Sequence, residues 1–276
     1  MRAALLQIRV DDEEPVSDRV SRVLAIIGKV AAGEDPGIPV VANDDLAAQG
    51  SPDLIVLPEL WTVGAFNMEE ARDHPVDLDG DLLNALGGLA RTHGCVIHAG
   101  TFPEVTGADR YNTAVVVGAD GATRARYRKI HLFGFDSGEA LELTAGTQEC
   151  LTSTPLGATG LATCYDLRFP ELFRRLTVQG ASAFVIASGW PITRIDHWNV
   201  LLQARAIENQ AWVLGCNQVG THAGVVLGGH SAIIDPNGRS VIEGPADTEC
   251  VVMAEIDPEL SGQARQQFPV LRDRRL

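Results

Sequence analysis

Short apolar runs rich in β-branched residues alternate along this chain with stretches whose apolar residues recur at helical spacing, and that alternation is the pattern of an α/β protein. Strands are predicted at 3–10, 54–57, 96–100, 113–118, 124–127, 161–164, 184–187, 213–216, 231–234 and 251–256. Helices fit 15–30, 82–93 and 194–210, with another opening at Pro170. Asp120-Gly121 and Pro236-Asn237-Gly238 fall between short strands as hairpin turns. Hairpins mixed with crossover helices predict a mixed sheet. The stretch 33–39, GEDPGIP, has the composition of a linker, but periodicity resumes so soon that it reads as a surface loop. No repeat of 20 to 50 residues is visible. A chain of this length can bury about three quarters of its unfolded surface in one core, and a single domain over 1–276 is the expectation.

Charge narrows the possible partners. With 36 acidic and 22 basic residues the net charge is −14, which opposes attraction to nucleic acid or an anionic membrane. No apolar run approaches the roughly 20 residues that span a bilayer, and the start MRAALLQIRVDDEE lacks the features of a signal peptide. The expected location is cytoplasmic, with neither nucleic acid nor membrane as partner. The five cysteines are odd in number and form no C-x-x-C pair, so neither a disulfide framework nor a zinc site is expected. His131, His197 and His230 do not form a metal pattern and read as structural hydrogen-bonding groups; no metal is expected. Phosphate-binding glycine motifs are absent too.

Three segments place an ionisable residue directly after a predicted buried strand, where α/β sheets carry their chemistry. In LIVLPELW, Pro58 ends the strand and leaves Glu59 at its tip. In RYRKIHLF, Lys129 follows a short strand in an apolar setting. In GLATCYDLRFPEL, a strand, an elbow and a helix start put Cys164 near backbone N–H groups that favour thiolate, with the Tyr165 N–H able to meet an oxyanion. Taken singly, each has a plain alternative: a solvated carboxylate, a snorkelling lysine, an inert buried thiol.

Together, Glu59, Lys129 and Cys164 resemble the catalytic triad of the nitrilase, or carbon–nitrogen hydrolase, superfamily. The words LPEL, YRKIHLF and TCYDLRFPEL match its motifs in order, and the likeness continues through residues 187–220, GGHSAIIDPNG at 228–238 and RQQFPVLRDRR at 265–275. The resemblance implies a four-layer αββα sandwich with two mixed sheets, paired into a homodimer or higher homo-oligomer, with 265–276 as a tail contributing to the dimer. It also implies a second glutamate positioning the lysine; in GEALELTAG, Glu139 fits better than Glu142. Trp190 resembles the family's pocket wall, and the loops around Phe66 and Phe135 are expected to set selectivity. Arg168 could pair a substrate carboxylate or anchor the helix after the elbow, and anchoring is the favoured reading. The compact GFDSG loop looks most like the omega-amidases, whereas 35–50 is longer than the family pattern leads one to expect.

The residue types suit covalent amide hydrolysis without metal or organic cofactor. Cys164 would be the nucleophile, Glu59 the proton acceptor and donor, and Lys129 with the Tyr165 N–H the oxyanion donors, each worth roughly 3 to 4 kcal/mol. The expected substrate is the terminal amide of a small dicarboxylic monoamide, such as a 2-oxo acid amide. N-carbamoyl amines or other aliphatic amides are the alternative, and a noncatalytic binding module of the same fold is the alternative of another class.

Overall fold

In the computed structural model, which describes residues 1–43, 50–134 and 138–275, the alternation resolves into two sheets packed face to face. The first runs in the order Val40–Ala42, Cys250–Glu255, Arg2–Gln7, Leu54–Val56, Val96–Thr106, Asp109–Val117 and Thr123–Arg128. The second runs Ser240–Glu243, Ala232–Ile234, Trp212–Cys216, Ala183–Ala187, Gly157–Thr163 and Leu151–Thr154. Each sheet has three adjacent parallel strands: Arg2–Gln7, Leu54–Val56 and Val96–Thr106 in one, Gly157–Thr163, Ala183–Ala187 and Trp212–Cys216 in the other. Antiparallel partners flank both sets.

The period of two along each strand assigns its side chains to different layers. Ala3 and Leu5 join Leu54, Val56, Ala114 and Val116 against Leu161, Val185 and Leu214 between the sheets. Ala4, Leu6, Ile55 and Ile97 point outward onto the helices Val16–Ala32 and Asp81–His93. On the far side, Ala162, Phe184, Ile186 and Val213 pack on Pro170–Val178 and Ile195–Asn209. The result is the four-layer αββα sandwich.

Elements the sequence reading passed over have a common cause. Leu151–Thr154 and Ser240–Glu243 are edge strands, half wet and partly polar, so their apolar contrast is weak, and Val40–Ala42 is an edge strand of three residues, too short to show a period. Val40–Ala42 lies in the long 35–50 segment and pairs in parallel with Cys250–Glu255; residues 44–49 lie outside the described ones. The helix Leu260–Gln267 is mostly polar and buries only the small Ser261 and Ala264, so it shows no apolar stripe, and the 265–276 tail begins inside it. Helix Met68–Asp73 is too short to display a period.

The loop carrying Glu59 is fixed by an unusually close backbone approach. Gly100 sits at a register shift in Val96–Thr106 with φ +73, and a Cβ there would stand 2.1 Å from the Pro58 carbonyl oxygen. Beside it, the Thr101 hydroxyl accepts from Leu60 N–H at 2.9 Å and the Trp61 indole donates to Ala99 O at 2.9 Å. Gly100→Ala should therefore cost about 2–3 kcal/mol through backbone strain and overpacking. Urea denaturation would show this as a lower midpoint at unchanged slope; a midpoint equal to wild type would mean that the loop tolerates displacement from Gly100.

Candidate active site

Both sheets present chemistry at one end. Leu54–Val56 is fully buried and Pro58 ends it, delivering Glu59. Thr123–Arg128 lies three places away in the sheet, and one parallel and two antiparallel pairings make it run parallel to Leu54–Val56, so Lys129 emerges at the same end. Neither is a surface residue: each is 1% exposed. The Lys129 ammonium donates to Glu59 Oε1 at 2.7 Å and to Glu139 Oε2 at 2.5 Å. Glu139 Oε2 also accepts from Phe133 N–H at 2.9 Å, and Glu59 Oε2 accepts from Gly189 N–H at 3.0 Å. Glu142, the other candidate for the second glutamate, lies on the exposed side near Arg72, 3.9 Å away.

The opposite sheet brings the thiol. Cys164 ends Gly157–Thr163 with φ 44, a left-handed conformation costly for a residue with a Cβ, and begins the tight turn Cys164–Arg168. Pro170 then starts the next helix at its first position, where the missing N–H is harmless. Buried Asp166 ties this elbow to the lysine strand across the sandwich. Its Oδ2 accepts from Thr163 N–H at 2.9 Å and the Tyr127 hydroxyl at 2.7 Å; its Oδ1 accepts from His131 N–H at 3.0 Å and meets His131 Nδ1 at 2.7 Å. His131 also stacks on Phe169.

Burial raises the pKa of the Cys164 thiol, the Glu59 charge raises it further, and Lys129 opposes both. Desolvation and the adjacent carboxylate thus push the sulfur toward its protonated form, against the pull toward thiolate of nearby backbone N–H groups and Lys129. Burial likewise raises Glu59, with Lys129 pulling down and Glu139 pushing up. Burial disfavours the Lys129 charge, but Glu139 and Glu59 overcome it and hold the lysine well above its ordinary value.

Glu59, Lys129, Glu139 and Cys164 line one cavity. Phe66, Phe133, Tyr165 and Trp190 line it too; Phe135 lies outside the described residues. Arg168 departs from the anchoring reading. It faces the cavity, with its guanidinium 4.7 Å over the Trp190 ring and 3.3 Å from His197 Nδ1. Buried Arg205 anchors the turn instead, donating to Leu167 O at 2.7 Å, because it reaches the elbow from Ile195–Asn209 beneath it.

Sequence reasoning missed Asn112, Ser188, Gly189 and Arg194. Asn112 is within reach of sequence reasoning: it lies two and four residues before Ala114 and Val116, in phase with side chains facing the inter-sheet core, but it falls one residue outside the strand predicted at 113–118, which in fact begins at Asp109. Ser188 and Gly189, in the turn after Ala183–Ala187, had no local signal.

A two-sheet α/β sandwich with a buried thiol, ammonium and carboxyl groups at one end defines a hydrolytic enzyme carrying the groups that acyl transfer needs. The carbon-nitrogen hydrolase family profile matches residues 2–266, and the chain belongs to that family of amidohydrolases. It is 39% identical over 280 residues to the 2-oxoglutaramate amidase of Paenarthrobacter nicotinovorans, covering 99% of this chain and 88% of that protein. It is 41% identical over 225 residues to the 2-oxoglutaramate amidase of Bacillus subtilis strain 168, covering 80% and 84%. The crystal structure of Saccharomyces cerevisiae Nit3, a nitrilase-superfamily member, superposes with TM-score 0.83 at 28% identity over 100% of this chain and 97% of that one.

The raised Glu59 pKa has a direct kinetic reading. A base must be ionised in the free enzyme, so kcat/KM should fall as pH drops through that raised value, giving an acid limb above the ordinary glutamate value of about 4.3. A pH profile with its acid limb at or below that value would contradict the assignment of Glu59 as base.

Proposed function

We propose that the protein hydrolyses the terminal amide of a small monoamide whose far end carries a carboxylate, a 2-oxo acid amide such as 2-oxoglutaramate being the favoured substrate, through a thioester on Cys164. The observation that carries this reading is a pair of guanidinium groups. Arg168 and Arg194 both line the cavity, and among the described residues neither pairs with a carboxylate. Burial lowers the Arg168 pKa and the Arg194 charge adds to the effect, so an incoming anion would relieve both desolvation and repulsion. The names of the two bacterial relatives point the same way.

The chemistry follows from the contacts. The Cys164 thiol passes its proton to Glu59 as sulfur attacks the amide carbon, and the carbonyl oxygen takes the negative charge. An ammonium has three donors; two of those on Lys129 are engaged by Glu59 and Glu139, which leaves the third, with the Tyr165 N–H, for that oxygen. Collapse breaks the C–N bond, and the leaving nitrogen takes the proton from Glu59 and departs as ammonia. Water then gives a proton to Glu59 while its oxygen attacks the thioester, and cleavage of the C–S bond returns the proton to sulfur. Glu139 keeps the ammonium aimed at the cavity.

The same reading takes 1–276 as one cytoplasmic hydrolase domain working as a homodimer, with 265–276 reaching the partner subunit. Arg2–Gln7 lies between Leu54–Val56 and Cys250–Glu255, which joins the two ends of the chain in one sheet, and Phe268 in the tail is 69% exposed. Among the described residues no helix is long and apolar enough to cross a membrane.

Two sets of variants test the proposal. Cys164→Ala should abolish ammonia release while keeping the wild-type melting temperature; retained turnover would remove Cys164 as nucleophile. Arg168→Leu and Arg194→Leu should each raise KM roughly 10- to 100-fold for amides with a distal carboxylate and far less for simple aliphatic amides. Equal losses on both substrate types, or faster turnover of N-carbamoyl amines by the wild type, would point away from a dicarboxylic monoamide.

A further inference from the structure

Between the two carboxylates that flank Lys129 lies a neutral side chain that the proposed chemistry does not use. Asn112 is fully buried, and its Nδ2 donates to Glu59 Oε1 at 2.9 Å and to Glu139 Oε1 at 2.7 Å. Both N–H bonds of the amide therefore end on carboxylate oxygens, closing a ring of Lys129, Glu59, Asn112 and Glu139. Its Oδ1 is buried with no partner among the described residues. Turning the amide over would aim that oxygen at two anions, so the carboxylates dictate the orientation even though it strands a buried acceptor. The backbone is held as well: Lys129 N–H donates to Asn112 O at 2.9 Å, so the amide and the ammonium share one register.

We propose that Asn112 is a positioning residue that fixes both carboxylates around Lys129 and thereby keeps Glu59 competent to take the Cys164 proton. The inference rests on the reading of Glu59 as base. Hydrogen bonds donated to a carboxylate favour its charged form. In this ring they act against burial and the charge of Glu139, the two influences that drive Glu59 toward its protonated form. Removing the donors leaves Lys129, the Gly189 N–H and the Cys164 thiol to oppose those influences.

Asn112→Leu keeps the branched heavy-atom shape and removes both donors; Asn112→Ser keeps a small polar group too short to bridge. In either variant the acid limb of kcat/KM for a small amide should move up by about one pH unit. Activity on that limb would then fall about tenfold more than on the plateau. The rate of Cys164 alkylation by iodoacetamide should shift with pH in the same way, which gives a readout independent of turnover. A uniform loss across pH with an unmoved limb, in a variant that melts near the wild-type temperature, would overturn the proposal. Glu59→Gln separates the two ideas: if it retains wild-type kcat/KM, the base assignment itself fails, whereas an inactive Glu59→Gln with an unmoved limb in the Asn112 variants removes only the role of Asn112.

Discussion

A buried ammonium shared by two carboxylates is the interaction on which the rest of the site depends. Lys129, Glu59 and Glu139 are almost wholly removed from water, and each charge taken into the interior costs several kcal/mol unless its partners stand at good geometry. The structure meets that condition with fixed donors on every side: Asn112, Gly189 N–H and Phe133 N–H all engage the carboxylates. Such a cluster tolerates little slack. It explains why the loops around it are built from constrained backbone, with Leu60 and Cys164 both at positive φ next to the groups that matter.

The two-sheet frame supplies that rigidity. The parallel strands of both sheets are buried on both faces, and their ends converge on one cavity. Asp166 spans the sandwich, joining the thiol elbow of one sheet to Tyr127 and His131 on either side of Lys129 in the other. A shift of either sheet would break these bonds, so the distance between sulfur and ammonium is set by the packing of the whole core rather than by a local loop.

Chemistry and selectivity draw on different parts of the frame. The strand ends hold the charged cluster, whereas the aromatic and arginine wall comes largely from the turns after Gly157–Thr163 and Ala183–Ala187, which carry Tyr165, Arg168, Trp190 and Arg194. Changes in that wall can alter which amide fits while the charged cluster stays in place, which suits a family whose members share chemistry and differ in substrate.

Much of this was legible beforehand. Strands with strong apolar contrast, the elbow at Cys164 and the charged residues at strand tips are local properties of residue type and period, so they could be read one segment at a time. Edge strands such as Leu151–Thr154 and the polar helix Leu260–Gln267 escaped because half-wet elements carry little hydrophobic contrast. Arg168 was misplaced because a cation beside an elbow can turn toward the core or toward a cavity, and only its neighbours decide.

The sequence by itself determined the layered α/β class and the set of reactive groups, since both follow from short-range pattern and side-chain chemistry. Only the tertiary structure decided that Glu59 meets Asn112 and Lys129 across 53 and 70 residues of chain, and that burial and the Glu59 charge push the Cys164 thiol pKa up. Proton affinity depends on burial and on which distant charges come within reach, and neither quantity exists until the two sheets close on each other.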